Sequence, residues 1–260
     1  MHPLALNDFL FNVKIVQIEA YGLSDIGKKK SNNEDHFSII YPEFPGFPYI
    51  LAVSDGVGGR KAGELASVVA LQSIISRLVP RSYLNNINEK EIITSFELAN
   101  LHLRETSINN ISYRGMGTTV VLALIYEDKT YIASVGDSRA YMINSTIKQI
   151  TEDHTLPSEL LKKGSITQKQ FLEHPYKHHL TRALGIEENV KPDLFTLRTT
   201  DFKTILLCTD GLTEHVTDSE IFNVIAKFPK PEASVKKLIQ TTLQRGASDN
   251  VTAIVANVIP

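Results

Sequence analysis

The hydrophobic positions fall into short, nearly continuous runs separated by polar or glycine-containing stretches. Six stand out: residues 13–20, 49–53, 119–126, 131–135, 204–208 and 252–258. Each is rich in Val, Ile or Thr and bounded by polar residues or glycine, which predicts a strand. Two other segments repeat at helical spacing. Leu71, Ile74, Ile75 and Leu78, and again Ile221, Val224, Ile225 and Phe228, sit at i, i+3, i+4 and i+7, so each predicts a helix with one apolar face. Thr217-Asp218-Ser219-Glu220 supplies a capping box ahead of the second helix, with Thr and Glu satisfying each other's exposed amides. A further helix is expected to open at Pro231 and end before Gly246. Residues 80–88 and 109–116 read as loops. Residues 151–192, punctuated by Pro157, Gly164, Pro175 and Pro192, read as short helices on a long excursion. No linker or low-complexity tract divides the chain, and strand runs come from both of its ends. A single domain over residues 1–260, mixing α and β, is the simplest arrangement.

Composition narrows the function classes. Of 260 residues, 42% are hydrophobic, enough for burial to offset the entropy of ordering, so dominant disorder is excluded. With 27 Lys+Arg against 29 Asp+Glu, binding of nucleic acid through bulk positive charge is disfavoured. The one cysteine, Cys208, rules out a disulfide scaffold and reads as an inert thiol within a buried strand. The longest uninterrupted apolar run, residues 120–126, is far short of the roughly 20 residues that span a bilayer, and the first residues lack a basic leader pattern. The expectation is a soluble cytoplasmic protein with no membrane or nucleic-acid partner.

The acidic residues carry the chemistry. Three strand runs lead directly into aspartate, at Asp55-Gly56, Asp137 and Asp210-Gly211. Asp249 stands just before the last strand, and Glu34-Asp35 just before the apolar stretch at 36–40. Each junction alone reads as a turn, since Asp bonds nearby backbone and Gly accepts positive φ. Five such sites converging at one place would repel one another, and a hard divalent cation resolves that conflict. Nucleotide loops do not fit the glycines after Asp55: the dinucleotide pattern needs Gly where Lys61 stands, and the phosphate loop needs Lys where Glu64 stands. A cysteine phosphatase needs Arg where Glu214 follows Cys208, and an aspartyl-phosphate enzyme needs Asp where Val53 and Cys208 precede Asp55 and Asp210.

Eight segments stand in order from residue 24 to residue 252: Ser24-Asp25-Ile26-Gly27, Asn32-Asn33-Glu34-Asp35, residues 53–59, Gly115-Met116-Gly117-Thr118-Thr119, Val135-Gly136-Asp137-Ser138-Arg139-Ala140, residues 180–185, Cys208-Thr209-Asp210-Gly211-Leu212 and Ser248-Asp249-Asn250-Val251-Thr252. On them the chain resembles the bacterial metal-dependent protein phosphatases (PPM, type 2C Ser/Thr phosphatases). The resemblance implies an α+β fold, an αββα sandwich of two antiparallel sheets flanked by helix pairs. It implies two Mn²⁺ or Mg²⁺ ions bridged by Asp55. Asp210 and Asp249 would complete one site, Glu34 and the Gly56 carbonyl would serve the other, and Asp137 with Asp210 would hold a third, weaker ion. Asp35 would hydrogen-bond metal-bound water, Asn250 would orient its neighbours, and Lys30 would meet the substrate phosphate. The reaction implied is hydrolysis of phosphoserine and phosphothreonine in proteins by in-line attack of a metal-bridging hydroxide, by a monomer opposing a bacterial Ser/Thr kinase. Two bound ions would turn the formal charge of −2 into +2, leaving a mouth that attracts phosphate.

Two departures stand out. The family carries Arg where this chain has Lys30, which predicts weaker phosphate binding, because an ammonium lacks the bidentate fork. Val57 occupies the position where eukaryotic members have a histidine acid. The excursion at about 151–192 corresponds to the family's flap. It contains His174, His178 and His179; Pro175 breaks the helix that a His174/His178 zinc pair would need, so these read as surface histidines, and His154 as a local hydrogen-bonding residue. The rival reading is a pseudophosphatase that keeps the fold as a regulatory binding module, which predicts loss of the acidic ligands.

Overall fold

The computed structural model describes residues 16–42, 47–58, 62–82, 87–126 and 128–259. The expected strand positions 13–15, and Gly59 of the glycine motif, lie outside them. Two antiparallel sheets form the centre. One runs in the order β1 (Gln17–Asp25), β11 (Val251–Ile259), β10 (Thr204–Cys208), β7 (Arg139–Ile143), β8 (Ile147–Gln149). The other runs β2 (Asp35–Ile40), β3 (Tyr49–Val57), β5 (Val120–Tyr126), β6 (Lys129–Val135), β9 (Asp193–Arg198), with the two-residue β4 (Gly117–Thr118) paired to the end of β3. Helices α1 (Ala62–Ser82) and α2 (Glu89–Asn109) cover the second sheet. Helices α5 (Asp210–Thr213), α6 (Asp218–Lys227) and α7 (Pro231–Gln244) lie on the first. Short helices α3 (Leu156–Lys162) and α4 (Gln168–Leu172) occupy the excursion. The fold is the α+β arrangement of two antiparallel sheets with helices on their outer faces.

The continuous apolar runs have a structural cause, because the central strands are buried on both faces. In β3, Leu51 and Val53 point into the layer between the sheets, while Ile50 and Ala52 meet α1 and α2. In β10, Ile205 and Leu207 face the other sheet, and Leu206 and Cys208 face the α6–α7 layer. The period of two survives in these contacts, although both phases are hydrophobic in the sequence.

Three local expectations change. Residues 80–82 belong to α1, so the loop expected at 80–88 is shorter, and Pro80 sits inside the last turn of the helix. The helix at 89–109, capped by the Asn88 side chain on the Glu91 amide, carries no clean apolar stripe in the sequence. Helix α1 is also long and apolar enough, by length and composition, to cross a membrane. Here its Ala66, Ala70, Leu71, Ile74 and Leu78 are buried within the protein core.

Candidate active site

Antiparallel pairing gathers the acidic junctions at one end of the sandwich. β2 begins where β3 ends, so Asp35 stands opposite Asp55. β11 begins where β10 ends, which puts Asp249, just ahead of β11, beside Asp210, just after β10. β5 begins where β6 ends, with Asp137 in the turn that follows. The Asp–Gly turn reading fails at Gly56, because Asp55 and Gly56 lie within β3. A Cβ at Gly56 would fall 2.0 Å from the Gly63 carbonyl oxygen and 2.8 Å from that of Glu34, so glycine is required there for close approach of α1. Asp210 likewise opens a helix, with Thr209 at its N-cap.

The carboxylates feel one another. Burial, followed by Asp35, Asp210, Asp137 and Asp249, pushes the Asp55 carboxyl well above the usual range. Asp137 is raised by burial and then by Asp210 and Asp153. Asp35 is pushed to about 7, because burial with Asp210 and Asp249 outweighs hydrogen bonds from Thr252 and Thr209. Burial also raises Glu34, against the nearby Lys30 ammonium.

A second layer of hydrogen bonds fixes this constellation. Thr118 Oγ1 donates to the Asp55 carbonyl at 2.8 Å, and Thr119 Oγ1 accepts from the Asp55 amide at 3.1 Å. Thr119 Oγ1 also meets the Ser138 hydroxyl at 2.7 Å, which ties the Asp55 strand to the Asp137 turn. Asn250 accepts from the Glu34 amide through Oδ1 and donates through Nδ2 to the carbonyls of Ile26 and Asn32. It thus grips the backbone on both sides of the Asn32-Asn33-Glu34 segment. Asp35 Oδ2 accepts from Thr252 Oγ1 at 2.7 Å and Thr209 Oγ1 at 2.9 Å.

The remaining flagged residues separate clearly. Lys30 Nζ lies 2.5 Å from Asp249 Oδ1, so of the three consecutive lysines it is the one paired within the acidic cluster. Burial disfavours its ammonium, but Asp249, Asp55 and Glu34 outweigh that and hold its pKa above the usual lysine value. His154 is buried; its Nδ1 accepts from the Gly136 amide at 3.0 Å and its Nε2–H donates to Asp193 Oδ2 at 3.1 Å. Asp193 is held in turn by Arg182 at 2.6 Å. His154 therefore braces the turn that carries Asp137. His174 Nδ1 accepts from the Tyr176 amide, and His179 packs its ring against Tyr176. His178 is exposed, as the surface reading expects, but it is not unpaired: Nδ1 is 3.2 Å from Asp210 Oδ2 and Nε2 2.6 Å from Glu214 Oε1, and these two partners push its pKa to about 10. Glu214 escaped the sequence reading, although its spacing of four residues from Asp210 across α5 placed both on one helical face. Cys208 is buried, and desolvation pushes its thiol to about 12, which excludes thiolate chemistry at neutral pH.

The donor set suits hard divalent ions. Three buried carboxylate oxygens, Glu34 Oε1, Asp35 Oδ1 and Asp210 Oδ1, have no hydrogen-bond donor among the described residues. An unpaired buried carboxylate oxygen is costly, and several of them facing one cluster fit Mg²⁺ or Mn²⁺ in chemistry and charge.

Sequence comparison agrees with this architecture. The family model described as protein phosphatase 2C matches residues 24–255, and the chain belongs to that family. Among its relatives is the serine/threonine phosphatase stp of Listeria welshimeri, 34% identical over 236 residues, covering 89% of this chain and 92% of that one. The protein phosphatase PhpP of Streptococcus pneumoniae is 31% identical over 233 residues, covering 88% and 93%. The crystal structure of the serine/threonine phosphatase Stp1 from Staphylococcus aureus superposes with a TM-score of 0.85 at 36% identity, covering 94% of this chain and 96% of that chain. The chain is a protein serine/threonine phosphatase, a phosphoric monoester hydrolase acting on phosphoproteins.

Proposed function

We propose that the enzyme is a metal-dependent phosphatase in which Asp55, Asp210 and Asp249, with Glu34, the Gly56 carbonyl and Asp137, hold the divalent ions. The observation that carries this reading is the convergence of buried acids whose oxygens Glu34 Oε1, Asp35 Oδ1 and Asp210 Oδ1 lack a protein donor. Bound Mn²⁺ or Mg²⁺, two ions with a third more weakly held, would supply a water acidic enough to act near neutral pH and positive charge for the phosphoryl oxygens. The chain's own groups do the rest. Asp35, anchored through Oδ2 by Thr209 and Thr252, offers Oδ1 to orient the attacking water. Lys30, on the rim beside Asp249, meets the substrate phosphate as a point charge. Asn250 keeps Glu34 in place through its backbone amide. The side chain of Val57 offers no proton, so the leaving serine or threonine oxygen takes its proton from a group other than the residue after Asp55-Gly56.

The pseudophosphatase alternative predicts lost ligands, and every expected acid is present. In the cell the substrates would be proteins phosphorylated on Ser or Thr by a cognate kinase system, and the enzyme would act in the cytoplasm as a monomer. Hydrolysis of a phosphothreonine peptide in ¹⁸O-water tests the mechanism. One ¹⁸O per released phosphate, with no phosphate left on the protein after acid quench, is expected. A trapped phosphoenzyme would contradict direct attack by water.

A further inference from the structure

We infer that His178 and Glu214 add a nitrogen and a carboxylate to the outer cation position at Asp210. The site would then take a first-row transition ion, Mn²⁺ or Zn²⁺, in preference to Mg²⁺, and that ion would pin the excursion at 151–192 to the sandwich. This rests on the metal reading above and concerns ligands that reading does not use.

Three observations carry it. First, Asp210 opens α5 and Glu214 caps its end one helical turn on, and the Glu214 amide donates to the Asp210 carbonyl at 2.9 Å, so their side chains leave the helix on one side. Second, a residue from a distant segment closes the set: His178 approaches Asp210 through Nδ1 and Glu214 through Nε2, and one donor atom from each of His178, Asp210 and Glu214 lies within 4.8 Å of the others. Two ligands about 2.0–2.2 Å from a common ion are at most about 4.4 Å apart, so donors this close reach one ion after a small adjustment of the side chains. Third, Asp210 has its two oxygens aimed at different neighbours. Oδ2 meets His178, while Oδ1 is buried with no donor among the described residues. One carboxylate can therefore serve the inner acids and the His178 side together, as a bridging ligand does.

The neighbouring histidines do not share this geometry, since His174 and His179 are engaged with Tyr176. Carboxylates and water suit Mg²⁺ and Mn²⁺ alike, whereas an imidazole suits first-row transition ions such as Zn²⁺, so a nitrogen ligand here disfavours Mg²⁺. Glu214 has two further neighbours, Lys177 Nζ at 3.8 Å from Oε1 and the Ser248 hydroxyl, which donates to Oε2 at 3.3 Å.

Pulsed electron paramagnetic resonance of the Mn²⁺-loaded full chain tests the assignment, because nitrogen ligation gives a ¹⁴N coupling that oxygen ligands cannot. The wild type should show that coupling. His178→Ala should lose it, together with one Mn²⁺ in calorimetric stoichiometry, while the other ions stay bound. His179→Ala should keep both. His178 is exposed, so its substitution does not threaten the fold. A loaded wild type without ¹⁴N coupling, or coupling that persists in His178→Ala, overturns this assignment and leaves the metal reading intact; His178 and its two carboxylates are then an ion pair only. A wild type that binds no Mn²⁺ overturns both.

Discussion

At the residue scale, Asp35 shows what the cluster costs when its charge is not balanced. Burial holds its proton to about pH 7 in the metal-free protein, whereas an unfolded aspartate releases it near about pH 4. Between those values the folded state binds a proton that the unfolded state has lost. Stability of the metal-free enzyme should therefore fall as pH rises from about 4 to about 7. Melting temperature in EDTA across that range checks this, and Asp35→Asn should show a shallower fall because it has no proton to lose. An identical slope in the two proteins would refute it. The acidic residues themselves were legible, since each abuts an apolar run. Their partners were less so. Thr209 and Thr252 lie 174 and 217 residues from Asp35, and nothing in a linear pattern links them. The partners of His178 were hidden for the same reason: Pro175 argues against a helical pair with His174, and its partners Asp210 and Glu214 stand at the two ends of α5, in a distant segment.

At the element scale, local signals did best where the physics is local. The capping box at Thr217 forms as expected: the Thr217 amide donates to Glu220 Oε2 at 2.9 Å, and Thr217 Oγ1 accepts from the Glu220 amide. Helix α7 opens at Pro231 and ends at Gln244, just short of Gly246. Thr217→Ala should cost about 1 kcal/mol of stability, readable as a shift in urea midpoint with activity retained. A midpoint equal to wild type would show that Arg245, which pairs with Glu220 at 2.5 Å, holds the helix start alone. Elements shaped by tertiary context were harder to see. α2 buries Ile92, Phe96, Ala99 and Leu103 but also Ser95 and Asn100. Asn100 is buried because Oδ1 accepts from the Gly185 amide and Nδ2 donates to the Glu187 carbonyl. Polar groups on the core face blur the stripe. Edge strands β8 and β9 are only partly covered, so they lack the dense apolar runs that marked the central strands.

At the scale of the whole molecule, the fold works as a device for bringing ends together. Residues 24–35 and 249–252 meet through Asn250 and through the Ser24–Thr252 hydroxyl pair at 2.7 Å, so the site needs the first and last described strands at once. That explains why motifs spread over residues 24–252 are legible as one function only when taken in order, and why a net charge of −2 conceals a concentrated acidic end. The central claim is that this acidic end, with its metal ions, performs the hydrolysis. It is tested most directly by the initial rate of phosphate release from a phosphothreonine peptide, measured with Mn²⁺, with EDTA, and for Asp210→Ala. Mn²⁺-dependent release that EDTA abolishes and Mn²⁺ restores is expected, with a loss of at least about 100-fold in Asp210→Ala, as for removal of a group that stabilises transition-state charge. Release that continues at the wild-type rate in EDTA and in Asp210→Ala would contradict the claim.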